Sequence, residues 1–362
     1  MKLKTLLRII PLSLLSISLA GQACTSLAIT DTKGNVYQGR TLELSEDLPS
    51  WLTYYPVGTS FQKKGPDGKN SASYKSKYQI LAITTDVYFD GDDHNVFQGI
   101  NSAGLSFSAN MISSAKLTAL TPSEYKESIP VTSIGEWALS SFSSVEEVTK
   151  AVNNGHFWAP VLENLGGVTS PFHYAFYDNK GGSIVVEALN GKLHVYNNPT
   201  KVMTNGPSFP WHLENLNNYT QLNNLDRSSA KLGNIDVVQP DSGIAISDLP
   251  SSDTSVGRFI RAVYYTTYAP KPNSTNDAMN ILAHAMNRFD RLKNITTDSL
   301  SESGTQGEVS SEYTVWTSLS NLNDGVMQIR GYNDINYQTF SLAQFTQANK
   351  PVFKKINVAD PK

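Results

Sequence analysis

Cys24 is the residue of this sequence with the most distinctive chemistry, because it is the only cysteine among 362 residues. Small residues, Gly21 and Ala23, stand at the −3 and −1 positions before it, as is typical of a signal-peptidase site. Cleavage after Ala23 would give Cys24 both its thiol and a free α-amine. Such an amine ordinarily has a pKa of about 7.7 to 8.0, so near neutral pH part of it can accept the thiol proton. The sequence therefore indicates a nucleophile and its base within one residue.

The first 20 residues have the pattern of a bacterial secretory signal. Basic residues precede an apolar run from Ile9 to Ala20, which is shorter than the roughly 20 apolar residues of a membrane span. We expect residues 1–23 to be removed as a signal peptide, which leaves a periplasmic or secreted protein without a membrane partner. A lipoprotein signal is the alternative, but such signals usually carry Leu at the position of Gly21.

The residues after Cys24 predict a β-hairpin that brings two charged side chains beside the thiol. The run TSLAIT leads through a turn, DTKGN, into the strand VYQGRTLEL. Antiparallel pairing across this turn places Cys24 opposite a residue between Thr41 and Glu43, so Arg40 and Glu43 arrive next to it. Because side chains alternate along a strand, these two should point to opposite faces unless the chain bends after Thr41.

The remainder of the chain predicts an α+β protein built from hairpins and helices. Turns are expected at Asn101 to Gly104, at Asp178 to Gly182 and at Asn190-Gly191, the last with type I′ chemistry. Helices are expected after a capping box at Ser144 and across residues 274–289. The elements do not alternate as βαβ units, which favours layers of antiparallel sheet and helix. No composition shift marks a linker, so residues 24–362 are expected to form a single domain.

Composition and motifs exclude several classes of function. A formal net charge of −3 and a pI near 6.1 argue against a nucleic-acid partner. The six histidines show no HExxH or similar metal spacing, and the segment FDGDDHN lacks the ligand pattern of a calcium loop. We therefore expect no metal and no organic cofactor.

Four segments taken in order resemble one family. They are the start CTSLAITDTKGNVYQGRTLEL, then GINSAGLSFSANM, then VMTNGPSFPWHLENLNNY, and finally SVGRFIRAVYY. Together they resemble the N-terminal-nucleophile hydrolases of the choloylglycine hydrolase and penicillin V acylase family. The resemblance implies a four-layer αββα sandwich, with two antiparallel sheets between helix layers, and hydrolysis of a linear amide by the N-terminal cysteine.

The resemblance also implies roles for residues near the hairpin. Cys24 matches the nucleophile, and Arg40 matches the arginine beside the thiol, where a fixed positive charge favours thiolate. Glu43 occupies the position at which the family usually has an aspartate that orients the N-terminal amine. This is a departure, because glutamate is one methylene longer, so either the backbone shifts to compensate or the carboxylate pairs elsewhere.

Three further positions carry over from the later segments. Asn205 matches the asparagine that helps to hold the developing oxyanion, a contribution of about 2.7 to 4 kcal/mol per donor. Arg258 matches the second active-site arginine. The other oxyanion position falls at Asn110 or Met111, of which we favour Asn110.

The substrate is the part of the function on which the sequence says least. Family members cleave amides of bile salts, of phenoxyacetyl penicillin and of acyl-homoserine lactones, so the expected substrate is a small-molecule amide with an apolar acyl group and a polar amine. The export signal favours penicillin V or an acyl-homoserine lactone over bile salts. The resemblance also implies a homotetramer.

Two alternatives to this function stay open. In the first, the protein is a periplasmic binding or scaffold protein that keeps the fold without activity, and it would tolerate Cys24→Ala. In the second, Cys24 is a buried cysteine without a chemical role, since one cysteine cannot form an internal disulfide.

Overall fold

The computed structural model describes residues 23–45, 47–85, 94–165, 167–299 and 309–356. The predicted signal peptide, apart from Ala23, lies outside these ranges. The strands in chain order, β1 to β12, are Cys24–Thr30, Val36–Leu44, Ser50–Tyr55, Ser60–Lys64, Asn70–Lys75, Ile80–Thr85, Asn95–Asn101, Leu105–Met111, Ile129–Pro130, Phe157–Trp158, Val161–Leu162 and Val168–Thr169.

Strands β13 to β24 are Phe172–Asp178, Ser183–Leu189, Lys192–Asn197, Val202–Met203, Ser229–Leu232, Ile235–Val238, Asp298–Ser299, Val309–Ser310, Tyr313–Asn321, Val326–Gly331, Gln338–Ser341 and Val352–Ile356. The α-helices α1 to α5 are Ile134–Ser141, Val145–Asn154, Phe209–Asn215, Ser255–Tyr268 and Thr275–Met286. The predicted turns at Asn101 to Gly104, Asp178 to Gly182 and Asn190-Gly191 each join two of these strands, so they are confirmed.

Two antiparallel sheets lie face to face between two layers of helix. One sheet has six strands in the order β16-β1-β2-β21-β22-β23, and the other has eight in the order β15-β14-β13-β8-β7-β6-β3-β24. Helix α1 packs on β7 and β8 and helix α2 on β13 to β15, whereas α4 packs on β1 and β16 and α5 on β2 and β21. This arrangement confirms the predicted αββα sandwich.

Local sequence explains where several of these elements begin and turn. The Ser144 hydroxyl accepts a hydrogen bond from Glu147 N at 3.3 Å and caps α2, and Ser274 caps α5 in the same way. Asn190 and Gly191 both have positive φ angles, 52° and 83°, as a type I′ turn requires. These capping contacts confirm the predicted starts of the two helices.

A glycine lets helix α5 approach the six-stranded sheet. Gly39 lies in β2, and a Cβ atom at this position would fall 2.6 Å from the Cγ and Sδ atoms of Met286. Such a contact is closer than packed side chains tolerate. Because Gly39 has no side chain, helix α5 can pack directly against β2, the strand that carries Arg40.

The register of the first hairpin decides what surrounds Cys24. Cys24 pairs with Leu42 across β1 and β2, within the predicted range. The expected irregularity falls between Leu42 and Glu43, where β2 pairs with β21, and the extra residue, Val315, lies on β21. The hairpin thus presents Arg40 to the space between the sheets and Glu43 to the side of α4.

Candidate active site

Cys24 is the first residue of β1 and is buried. Its backbone nitrogen donates a hydrogen bond to Asn205 Oδ1 at 2.7 Å, and its carbonyl oxygen accepts one from Arg258. Ala23 continues the pairing, because its carbonyl oxygen accepts from Glu43 N at 2.9 Å. Only 1% of Cys24 is exposed in the uncleaved chain, so its thiol is shielded from solvent there.

Arg40 holds a fixed positive charge against the thiol. Its Nη2 lies 3.7 Å from Cys24 Sγ, and the guanidinium also donates to the carbonyl oxygens of Phe97 and Ala109 on the facing sheet. The Trp316 ring covers the guanidinium, with 5.1 Å between the guanidinium carbon and the ring centroid. These contacts place the predicted arginine next to the predicted nucleophile.

Arg258 and Asn205 meet at the backbone of Cys24. Arg258 lies on α4, whose N-cap Thr254 accepts from Gly257 N at 3.2 Å. Its Nη1 donates to Cys24 O and to Thr25 Oγ1, and its Nη2 donates to Asn205 Oδ1 at 2.8 Å. The structure therefore brings together residues that are 181 and 234 positions away from Cys24.

Glu43 is buried close to this group but does not hold the Cys24 nitrogen. Its Oε1 accepts from Thr314 Oγ1 at 3.3 Å, and its Oε2 has no hydrogen-bond partner among the described residues. Burial raises the pKa of Glu43 to about 7, although the positive charge of Arg258 opposes the rise. The longer side chain thus reaches strand β21, while Asn205 takes the contact with the nitrogen.

Asn110 and Met111 lie on β8 and take different positions. Asn110 is buried, and its Nδ2 donates to Thr204 O at 2.6 Å and to Met203 O at 3.5 Å. Met111 O accepts from Asn205 Nδ2 at 2.8 Å, and the Met111 side chain reaches an open cleft. An oxyanion role for Asn110 stays a prediction, and the bonds of its amide nitrogen join β8 to the segment before Asn205.

A cleft of about 860 Å³ adjoins the thiol site and has both apolar and polar residues in its lining. Ala23, Asn205 and Arg258, which lie around Cys24, are part of this lining. Met111, Ile112 and Pro207 contribute apolar side chains, and the polar part of the lining consists of residues 113–114 and 252–255 with Arg291, Thr296 and Glu312. Such a cleft suits a molecule with one apolar end and one polar end.

The sequence reasoning missed Arg291, Thr296 and Glu312, which belong to the polar part of the cleft lining. Arg291 pairs with Glu312 at 2.6 Å between Nη1 and Oε2, and its Nη2 donates to Thr296 Oγ1 at 2.9 Å. These residues come from separate connections, and none belongs to a short motif with a chemical spacing. The turn between β1 and β2 and the GRF segment gave a local signal, but the polar part of the cleft lining is assembled only when the chain folds.

The described residues contain no group of three or more His, Cys, Asp or Glu side chains placed to hold a metal ion. Within the same ranges, none of the helices combines the length and apolar character that crossing a membrane requires.

Comparisons with known proteins match nearly the whole chain after Ala23. A family model described as linear amide C-N hydrolases, choloylglycine hydrolase family, matches residues 24–351. The chain is 29% identical over 318 residues to the bile salt hydrolase/transferase of Clostridium perfringens, which covers 86% of this chain and 91% of that protein. It is 24% identical over 263 residues to the penicillin V acylase of Pectobacterium atrosepticum, covering 70% and 63% respectively.

A solved structure agrees with these sequence matches. The crystal structure of a variant of conjugated bile acid hydrolase from Clostridium perfringens is similar, with a TM-score of 0.79 and 26% identity. The match covers 93% of this chain and 98% of that one. The likeness therefore extends over both sheets of the sandwich.

We predict that the thiol reacts slowly until the segment before Cys24 is removed. Burial raises the pKa of the Cys24 thiol in the uncleaved chain, despite the opposing charge of Arg40, and only the thiolate is an effective nucleophile. Iodoacetamide should alkylate the chain 1–362 at least about tenfold more slowly than the chain 24–362 near pH 7.5, measured by intact mass. Cys24→Ser should give no adduct in either chain, and equal rates for the two unaltered chains would contradict the prediction.

We also predict that Glu43 makes the stability of the uncleaved chain fall as the pH rises. Burial raises its pKa from 4.5 to about 7, so between these values the folded chain holds a proton that the unfolded chain has released. This contribution is complete below about pH 4.5 and lost as the pH passes about 7. Relative to Glu43→Gln, the free energy of unfolding should drop by up to about 3 kcal/mol across this range, measured by urea unfolding. Glu214→Gln, an exposed control, should show no such difference.

Proposed function

The chain belongs to the choloylglycine hydrolase family of linear amide C-N hydrolases, and from this premise we propose that it hydrolyses amides through Cys24 as an N-terminal nucleophile. The observation that carries the proposal is the group of contacts at Cys24. Arg40 Nη2 lies 3.7 Å from the Sγ atom, Asn205 binds the nitrogen, and Arg258 binds the carbonyl oxygen. The family match begins at residue 24, which supports this residue as the mature N-terminus.

In the proposed first step, the α-amine of Cys24 accepts the thiol proton and Sγ attacks the carbonyl carbon of the substrate. The carbonyl oxygen takes up the negative charge, and the Asn205 amide donates a hydrogen bond to it. The C–N bond then breaks, and the ammonium formed on Cys24 returns its proton to the leaving amine. This step leaves the acyl group on sulfur as a thioester.

In the second step, water attacks the thioester carbon while the same α-amine accepts a proton from the water. The tetrahedral intermediate collapses, the acid leaves, and sulfur regains its proton. Arg40 stabilises the sulfur anion each time it forms, because its charge lies beside the Sγ atom. Arg258 holds the Cys24 carbonyl and the Asn205 amide in register with each other.

The substrate class proposed for this site is an amide with an apolar acyl group and a polar amine. The apolar side chains of Met111, Ile112 and Pro207 in the cleft support acyl binding. The charge of Arg291, which also lines the cleft, is already paired with Glu312, which favours an amine part without net negative charge. This supports an acyl-homoserine lactone over glycine or taurine conjugates of bile acids. Penicillin V, whose amine part also carries a carboxylate, is the next candidate because of the export signal alone.

We further propose that residues 1–23 direct the protein to the periplasm or the medium, where the mature enzyme forms a homotetramer. The hairpin of β17 and β18 supports self-association, because it carries exposed apolar side chains. Leu232, Ile235 and Val238 are 65%, 66% and 75% exposed. A second copy of the chain is the occupant that this surface is proposed to contact.

We predict that Cys24→Ala abolishes amide hydrolysis by the mature enzyme. Substrates should include a medium-chain N-acyl homoserine lactone, penicillin V and glycine-conjugated cholate, with product amines quantified after derivatisation. The unaltered enzyme should show a mass beginning at Cys24 and the highest kcat/KM for the lactone or penicillin V. An unaltered enzyme that binds these amides without cleaving any of them would indicate the inactive binding protein. Bile salt as the best substrate would overturn the substrate preference alone.

We predict that charge on the exposed hairpin dissociates the tetramer. Ile235→Glu with Val238→Glu should convert a tetrameric mass to a smaller species in analytical ultracentrifugation. Glu214→Lys, a charge change at an exposed residue of α3 and not of the hairpin, should leave the mass unchanged. A monomeric unaltered enzyme at micromolar concentration contradicts the proposed assembly.

A further inference from the structure

The backbone on both sides of Asn205 is held by side chains that the proposed reaction does not use. Asn205 N donates to Ser255 Oγ at 2.9 Å, and Asn205 O lies 2.9 Å from His212 Nε2. The preceding carbonyl, Thr204 O, accepts from Asn110 Nδ2 at 2.6 Å and lies 3.1 Å from His173 Nε2. The peptide groups around the proposed oxyanion donor therefore have fixed positions.

Three buried polar residues next to this backbone segment lie side by side on neighbouring strands of the eight-stranded sheet. His173 on β13 pairs directly with Asn110 on β8 and with Glu187 on β14. Each of these three residues is only 1% exposed. Because directly paired residues project to the same face of a sheet, the row faces the segment that contains Thr204 and Asn205.

Glu187 connects this row to the helix after Asn205. Its Oε1 lies 3.1 Å from His173 Nδ1, and both carboxylate oxygens accept from Phe209 N, at 3.3 and 3.1 Å. Phe209 is the first residue of α3. One carboxylate thus fixes both the imidazole and the beginning of the helix that follows Asn205.

The protons on the two histidines follow from their partners. Thr204 O and Asn205 O are carbonyl oxygens and only accept, so His173 Nε2 and His212 Nε2 must each carry a proton. For His173, the ionised carboxylate at Nδ1 also only accepts, so Nδ1 carries a proton as well, and the ring donates from both nitrogens to Glu187 Oε1 and Thr204 O. For His212, burial lowers the pKa to about 4, so the ring is neutral near pH 7.

We propose that His173 and Glu187 are positioning residues that hold the Asn205 amide at the site of the oxyanion. This inference rests on the proposed function, because it needs an oxyanion to form beside Cys24. Glu187 fixes His173, His173 fixes Thr204 O together with Asn110, and the position of Thr204 sets that of Asn205. Since an oxyanion donor contributes only at the correct distance, a small displacement of Asn205 should slow acyl transfer.

The test compares substitutions that remove the contacts with substitutions that keep them. His173→Phe removes both ring nitrogens, whereas His173→Gln keeps an N–H group at the position of Nε2. Glu187→Leu removes both carboxylate oxygens, whereas Glu187→Gln keeps one acceptor for Phe209 N and one group that can bond to His173 Nδ1. Tyr174→Phe is the matched control, because Tyr174 neighbours His173 on β13 and donates to Val131 O at 2.8 Å away from the site.

The readout separates a positioning role from a merely structural one. On the amide that the unaltered enzyme cleaves best, His173→Phe and Glu187→Leu should lower kcat by about 10- to 100-fold, with KM changed less than about threefold. The Gln variants should keep kcat within about fivefold of the unaltered enzyme. Alkylation of Cys24 by iodoacetamide, which forms no oxyanion, should proceed at the same rate in every variant.

Three outcomes would overturn the inference. They are an unchanged kcat in soluble His173→Phe, an equal loss of kcat in Tyr174→Phe, and a loss of alkylation that parallels the loss of kcat. If His173→Phe and Glu187→Leu do not fold, the two Gln variants provide the test. A loss of kcat in both folded Gln variants that is as large as the loss in Asn205→Ala also overturns the inference. An unaltered enzyme that cleaves no amide refutes the proposed function instead, before the variants are compared.

Discussion

The buried guanidinium of Arg40 is the constraint on which the rest of this site depends. Its partners on the facing sheet are the carbonyl oxygens of Phe97 and Ala109, and not a carboxylate. These carbonyl dipoles accept hydrogen bonds from Nη1 and Nη2 without cancelling the charge, and Nε has no partner among the described residues. A buried cation is costly, and part of its compensation is left to the thiol 3.7 Å away. The fold therefore provides a positive field at Cys24 that is most favourable when sulfur is an anion.

This arrangement requires a polar layer between two sheets that would otherwise pack through apolar side chains. Gln98 Nε2 donates to Gln38 Oε1 at 3.0 Å, and Gln38 Nε2 donates to Ser108 Oγ at 2.8 Å. Ser26 joins the same network and lies 3.1 Å from the Tyr177 hydroxyl. Because the network connects β1, β2, β7, β8 and β13, a shift between the sheets would break several buried hydrogen bonds. The spacing of the sheets, and with it the position of Arg40, is thereby fixed.

The parts of this structure that sequence could predict are those set by neighbouring residues. The hairpin register at Cys24 followed from one turn, and the helix starts followed from capping serines. The destination of the Glu43 carboxylate could not be predicted, because it depends on Thr314, 271 residues away. The row of Asn110, His173 and Glu187 could not be predicted either, since it forms only when β8, β13 and β14 pair in one register. Burial, which raises the pKa of the thiol, is likewise a property of the folded chain.

The charges around Cys24 connect maturation to reactivity. Among the described residues in direct electrostatic contact with the thiol, Arg40 and Arg258 are cations and Glu43 is the carboxylate. With Glu43 ionised this group carries one net positive charge, and a thiolate brings it to zero. An ammonium at the new N-terminus would add a second positive charge beside two arginines, so the same field that stabilises thiolate favours a neutral amine. One electrostatic arrangement therefore favours both the neutral amine, which is the proposed base, and the thiolate, which is the proposed nucleophile. The arrangement becomes effective when cleavage releases the amine.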